Sequence, residues 1–247
     1  MKKALSVSYA VISYLIFFTV FLYLIAFVGD LIAPKTVSSG TTQQFSTALS
    51  INILLISLFA IQHTIMARQS FKQWFTQYIP THLERSSYML ATSIVLALLF
   101  CYWQPIEGKL WEFSHPILVN LFYILFASGW LLVLISTFLT NHFDLFGLRQ
   151  AYLYAIDKPY SHLPFSNHWF YQWLRHPMML GLLIAFWFTP IMTISHLMFS
   201  VGMTIYIFVG INFEEKSLIK LLGEDYIQYR NNTPMLLPCK CKCKDAQ

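Results

Sequence analysis

The stretch that decides the fold begins YQWLRHPMMLG, Tyr171 to Gly181, and ends FEEKSLIKLLGEDYIQYRNNTPMLLP, Phe213 to Pro238. A charged Arg175-His176-Pro177 stands directly before one apolar run, and Glu214-Glu215 stand directly after the next. The short connector Thr189–Ser195 is expected to fold the two runs into a helical hairpin. Both charged ends then return to one side of a membrane, and the remaining chain frames the place where they meet.

Composition supports a membrane setting. Hydrophobic residues are 57% and charged residues 11%, against roughly 25% charged in soluble domains. Six apolar runs are expected to span: Val7–Val28, Ala48–Met66, Ser86–Trp103, Ile117–Leu139, Pro177 to about Pro190, and about Ile194 to Phe213. The fold class is therefore an all-α integral membrane protein of one polytopic domain. Four helices fill 1–139, and the hairpin, loop and C-terminal amphipathic helix fill 140–238. A tail occupies 239–247. The fifth run is short for a full crossing and implies tilt, or a helix broken near Pro190. Lys2-Lys3 before an apolar run resembles a signal peptide. The run is long and lacks a clear small-residue cleavage site, so it reads as a spanning helix.

Of the 16 Lys and Arg residues, only Lys35 and Lys109 fall in loops opposite the termini. This asymmetry places both termini, the long loop Thr140–Leu174, Arg175-His176 and Glu214-Glu215 in the cytoplasm. The net charge of +5 follows from the same rule and needs no nucleic acid. Arg68–Arg85 is a basic loop whose Trp74 and Tyr78 suit the interface. Cys101, inside an apolar run, reads as a small core residue. Cys239, Cys241 and Cys243 alternate with lysines and lack the spacing of zinc sites, so they read as a loose tail and no metal centre is expected.

Several groups can carry chemistry. Pro177 suits the first position of a helix, and the amides of that first turn attract a carboxylate or phosphate, reinforced by Arg175. The same residues also read as an ordinary interfacial helix start. Glu214 and Glu215 at a helix end oppose the dipole, so a cation or a group rich in hydroxyls should compensate them. Leu218, Leu221, Leu222, Tyr226 and Tyr229 recur at helical spacing, interrupted by Gly223, in an interfacial amphipathic segment whose aromatics can also line a site. In NHFDLFGLRQ, Asn141 to Gln150, His142 beside Asp144 reads as a base with a held tautomer, or as polar capping. Gln62 and His63 lie within an apolar run, where an ionisable group is functional by default, though both can serve as interhelical hydrogen-bond partners.

Taken together, R-H-P-x-x-x-G (Arg175 to Gly181), the hairpin, E-E (Glu214, Glu215), G-E-x-Y-x-x-Y (Gly223 to Tyr229) and P-x-x-x-P (Pro234, Pro238) resemble the isoprenylcysteine carboxyl methyltransferase superfamily of membrane methyltransferases. HTIMAR (His63 to Arg68), ERSSY (Glu84 to Tyr88) and NHFDLFGLRQ extend the likeness to the bacterial methanethiol S-methyltransferase branch, related to NnrU-type proteins. The resemblance implies S-adenosyl-L-methionine as methyl donor, with contacts at Tyr171, His176, Pro177, Met178, Met179 and Glu214, and at Gln150 and Leu163–Ser166. Arg175, Glu215, Tyr226 and Tyr229 join them in the expected cofactor site. Two positions depart from the family pattern. Met179 stands where Tyr is frequent, and Gly210 stands where the prenylcysteine enzymes carry an Arg, which argues against a carboxylate acceptor.

The expected reaction is in-line attack of a thiolate on the sulfonium methyl, most simply methanethiol giving dimethyl sulfide. A dry site favours this charge-cancelling step. His142 with Asp144 is the expected base, with His63 and Arg149 in reserve. The expected partners are a small thiol and the bilayer, with no nucleic acid and no obligate protein. The alternatives are another thiol, an isoprenoid carboxylate, or a haem- or small-molecule-binding NnrU-like protein using His63, His142 or His176.

Overall fold

The computed structural model of the chain describes residues 1–161 and 169–237. Leu163–Ser166, Pro238 and the cysteine tail from Cys239 lie outside the described residues. In chain order the helices are α1 (Lys2–Val28), α2 (Phe45–Ala67), α3 (Gln69–Phe75), α4 (Glu84–Tyr102), α5 (Pro116–Leu139), α6 (His142–Leu145), α7 (Leu148–Ala155), α8 (Pro177–Trp187), α9 (Ile194–Leu222) and α10 (Glu224–Asn232). Two 3₁₀ turns, Thr81–Leu83 and Trp169–Gln172, and two short strands, β1 (Lys109–Glu112) and β2 (Ile191–Thr193), complete the described elements.

Five of these elements are long and apolar enough to cross a membrane: α1, α2, α4 with its preceding turn, α5 and α9. The chain is an integral membrane protein. Inside a bilayer a helix pairs its own backbone groups, which is why long uninterrupted apolar runs take this form. Their outward faces carry large apolar side chains such as Leu15, Leu54, Ile124 and Ile205. Cys101 is on this exposed surface, not in the core as its apolar surroundings suggested; within a membrane an apolar neighbourhood does not distinguish lipid from protein.

The fifth run is shorter than the others. α8 has 11 residues, about 16 Å of rise, roughly half of a hydrocarbon core. Pro190 cannot extend the helix, and the chain continues into β2. That strand pairs antiparallel with β1, with Trp111 opposite Met192 and Glu112 opposite Ile191. The expected all-α fold thus carries a small ribbon. Its strands are too short to leave an alternating pattern in the sequence.

Two glycines place α8. A Cβ on Gly129 of α5 would lie 2.7 Å from the Gly181 carbonyl, and one on Gly181 would lie 2.7 Å from the Gly129 carbonyl. The two backbones therefore touch, as small residues permit between membrane helices. The closing glycine of R-H-P-x-x-x-G holds α8 on α5.

α9 departs from expectation at its other end. Its 29 residues run past Phe213 to Leu222, where Gly223 at φ +61° ends it. Glu, Lys and Leu are good helix formers, so the charged segment continues the apolar one. Glu214 and Glu215 sit inside the helix, about two turns from its end, and the conflict with the helix dipole does not arise. After α10 the chain doubles back. The Pro234 and Met235 carbonyls accept from the Arg175 and His176 amides at 3.0 and 3.1 Å, laying the segment over the start of α8.

Candidate active site

Arg175 anchors this doubled-back segment. Its Nε donates to Glu215 Oε1 at 2.8 Å, and its Nη1 donates to the carbonyls of Arg230 and Thr233 at 2.8 and 2.7 Å. One guanidinium thus ties α9 to the end of α10. His176 Nε2 also meets Glu215 Oε1 at 3.0 Å, and its Nδ1 is 3.6 Å from Glu214 Oε2. Tyr229 donates to the Tyr171 carbonyl at 2.6 Å. Burial, with Glu215 adding to it and Arg175 opposing, pushes the Tyr229 phenol up to about 12. Burial raises Tyr171 and Tyr226 as well, so these rings are neutral hydrogen-bonding walls. In the first turn of α8, Pro177 has no N–H and the His176 amide is spent on Met235. Met178 and Met179 retain the amides that the helix itself leaves without a carbonyl.

Glu214 differs from Glu215. Its side chain is 48% exposed against 12%, and it opens into a cavity of about 270 Å³ between α2, α4, α8 and α9. His63, Arg68, Tyr88, Met179, Tyr206 and Gly210 help to line it. Tyr206, Gly210, Glu214 and Ser217 recur at helical spacing on one face of α9. A Cβ at Gly210 would meet nothing within 4 Å, so the missing side chain leaves room in the cavity. The His63 ring stacks on Phe59, with centroids 5.3 Å apart. Its Nδ1 is 3.3 Å from Thr92 Oγ1, which the Gln62 amide approaches at the same distance. Nε2 makes no hydrogen bond among the described residues. The Arg68 guanidinium lies 3.7 Å above the Phe213 ring. Thr64 and Tyr206 also border an apolar groove of about 740 Å³ along α2 and α9, so cavity and groove share a wall.

The expected pairing of His142 with Asp144 does not form. The Thr137 hydroxyl donates to the Leu134 carbonyl at 2.7 Å, so it accepts from His142 Nδ1 at 2.9 Å. Nε2 then accepts from the Tyr14 hydroxyl at 2.8 Å. The ring is stacked on Phe138 and buried, and burial lowers its pKa. Asp144 turns away to Arg149 Nη1 at 2.9 Å and to the Tyr160 hydroxyl at 3.3 Å. Arg149 also holds the Ser161 carbonyl and hydroxyl. Three residues that are close in NHFDLFGLRQ, His142, Asp144 and Arg149, are thereby divided between two sets of partners. Gln150 joins them through its Nε2 on the Asp144 carbonyl, and none of the four reaches the cavity of His63 and Glu214.

Arg68, Tyr88 and Tyr206 line that cavity without having been singled out for a role. Arg68 closes HTIMAR and Tyr88 closes ERSSY. Tyr206 is a hydroxyl inside an apolar run about two turns before Glu214. The signal was a polar stripe on α9 facing another on α2, visible only once the two helices are known to be neighbours.

A family model described as NnrU protein matches residues 51–234. The chain is 45% identical over 238 residues to a methanethiol S-methyltransferase of Mycobacterium tuberculosis, covering 96% of this chain and 98% of that protein. It is 47% identical over 230 residues to a methanethiol S-methyltransferase of Crocosphaera subtropica, covering 93% and 90%. It is 26% identical over 193 residues to nurim of Sus scrofa, covering 71% and 70%. No solved structure matches the chain.

Proposed function

The chain belongs to the NnrU protein family, and from that premise we propose that it is a membrane thiol S-methyltransferase that converts methanethiol to dimethyl sulfide with S-adenosyl-L-methionine as donor. The observation that carries this reading is one cavity lined by His63, Met179, Gly210 and Glu214 and adjoining an apolar groove. A small apolar acceptor fits the groove. An open carboxylate fits a cationic donor.

The donor supplies a methyl group on a sulfonium centre. Glu214, exposed to the cavity while Glu215 is locked to Arg175, offers a negative charge to such a cation or to a ribose hydroxyl. Met178, Met179, Pro177 and Tyr171 supply apolar walls at the start of α8. Thr92 Oγ1 can accept from both Gln62 and His63 Nδ1, the arrangement that leaves His63 Nε2 with a free lone pair. His63 is then the group best placed to take a thiol proton, and the Arg68 charge favours the thiolate. His142, closed on both ring nitrogens, serves as a joint between α1, α5 and α6. Gly210 supplies no cation at the position where the prenylcysteine enzymes carry an Arg, and Arg68, the cation that does line the cavity, lies over the Phe213 ring, which disfavours a prenylcysteine substrate. The six-crossing topology belongs to the same proposal. Pro177–Thr193 crosses as a short helix with an extended end, and both termini face the cytoplasm of a bacterial inner membrane.

The test is incubation of the purified protein with labelled S-adenosyl-L-methionine and a panel of thiols and prenylcysteine carboxylates. Label in dimethyl sulfide is the expected outcome. Transfer to a carboxylate with methanethiol ignored would overturn the acceptor.

A further inference from the structure

The segment after α10 is pinned beside the candidate active site. The Arg175 and His176 amides donate to the Pro234 and Met235 carbonyls at 3.0 and 3.1 Å. The Arg175 guanidinium holds the Thr233 carbonyl, and Leu236 is buried. Leu237, where the described chain stops, is 62% exposed. His176 bridges this segment to the cavity. Its amide meets the Met235 carbonyl, and its Nδ1 is 3.6 Å from Glu214 Oε2, which opens into the cavity.

The sequence that follows Leu237 is rich in nucleophiles. Cys239, Cys241 and Cys243, outside the described residues, alternate with Lys240, Lys242 and Lys244. A chain advances at most about 3.5 Å per residue, so Cys239 falls within about 7 Å of Leu237 and Cys243 within about 20 Å. Such a tether gives a thiol an effective concentration on the order of millimolar wherever it can reach. The lysines beside each cysteine favour the thiolate, and cysteine is already a stronger acid than an alkanethiol. A thiolate is the form that attacks a sulfonium methyl. The chain thus carries three thiols of the right chemistry, anchored one residue's width from the cavity in which free thiol is methylated.

We propose that Cys239, Cys241 and Cys243 are methyl acceptors within their own chain, so that the protein S-methylates its C-terminal tail when free thiol is scarce. This rests on the S-adenosyl donor and the thiol chemistry proposed above. The cysteine sulfur forms a bond to the methyl carbon, and the bond from that carbon to the sulfonium sulfur breaks. Its electron pair stays on the donor's sulfur. The products are S-methylcysteine and S-adenosylhomocysteine, and the thiol proton passes to water. The transfer adds no charge and takes a competing nucleophile out of reach of the cavity.

The test is intact-mass analysis of the full chain in nanodiscs, incubated with S-adenosyl-L-methionine and a phosphine reductant, with no thiol added. The chain should gain the mass of one to three CH2 groups, mapped by peptide analysis to Cys239, Cys241 and Cys243. Cys101, exposed on the apolar surface of α4, should stay unmodified and serves as the internal control. The rate per chain should not change on dilution. The triple variant Cys239→Ser, Cys241→Ser, Cys243→Ser should gain no mass and keep methanethiol turnover within about twofold, since the tail is not part of the site. Added methanethiol should slow modification of the wild type. The proposal is overturned if the tail gains no mass in a preparation that methylates methanethiol, in which case the donor reading stands. It is also overturned if the rate per chain falls in proportion to dilution, or if Cys101 is modified as readily. If neither the tail nor methanethiol is methylated, the donor reading fails and the proposal falls with it.

Discussion

Arg175→Gln removes a guanidinium that ties three places together. It bonds Glu215 on α9 and the Arg230 and Thr233 carbonyls at the end of α10. Arg175 and Glu215 side chains are each 12% exposed, so the pair is nearly dry. Removing one partner of a buried pair costs about 3–5 kcal/mol. His176 remains beside Glu215, and water can reach the loosened end, so a loss somewhat below that range, about 2–3 kcal/mol, is expected. The loss should be local. α10 keeps the Tyr229 bond to Tyr171, and the following segment keeps its two backbone bonds to Arg175 and His176. Native-state hydrogen exchange reads it directly. Amides of 224–236 should exchange about 30- to 150-fold faster, while those of α5 and α8 should not change. Arg175→Lys should fall between, since one ammonium cannot reach all three acceptors. If exchange in 224–236 is unchanged while donor affinity collapses, Arg175 faces a ligand and the tie described here is wrong.

Gly181→Val should cost about 1–3 kcal/mol because its Cβ would lie 2.7 Å from the Gly129 carbonyl, lowering the thermal midpoint. Val at a surface position of α9 should not. His63→Ala should cut turnover about 10²- to 10⁴-fold, with the deficit shrinking at high pH where thiolate forms unaided; equal turnover at neutral pH would remove His63 as the base. His142 has its pKa lowered by burial, so the fold binds the neutral ring. Its contribution is present above the ordinary value near 6.5 and is lost as pH falls below it. Thermal midpoints should drop between pH 7 and 5, and His142→Gln should flatten that drop.

The spanning helices were legible because length and hydropathy are local properties. α1, α2, α4 and α5 end within a few residues of the apolar runs. The extension of α9 was less legible, since FEEKSLIKLL changes polarity without changing helix propensity. The cavity was legible only in pieces. His63 and Glu214 were both conspicuous, yet their meeting depends on α2 lying beside α9, a relation between segments far apart in sequence. His142 and Asp144 misled for the converse reason. Closeness in sequence suggested a pair, while Thr137, Tyr14 and Arg149, from α5, α1 and α7, claimed their polar atoms.

The groove along α2 and α9 sets how concentration should be counted. It is lined by residues such as Ile53, Ile61, Val201 and Ile205, on the faces of two spanning helices. A thiol reaching the cavity by that side is drawn from what has dissolved in lipid. Its effective supply is the aqueous concentration multiplied by a partition coefficient. An apparent KM expressed per volume of water should therefore fall for longer alkanethiols and change with the lipid-to-water ratio of the assay, with no change in any contact inside the protein.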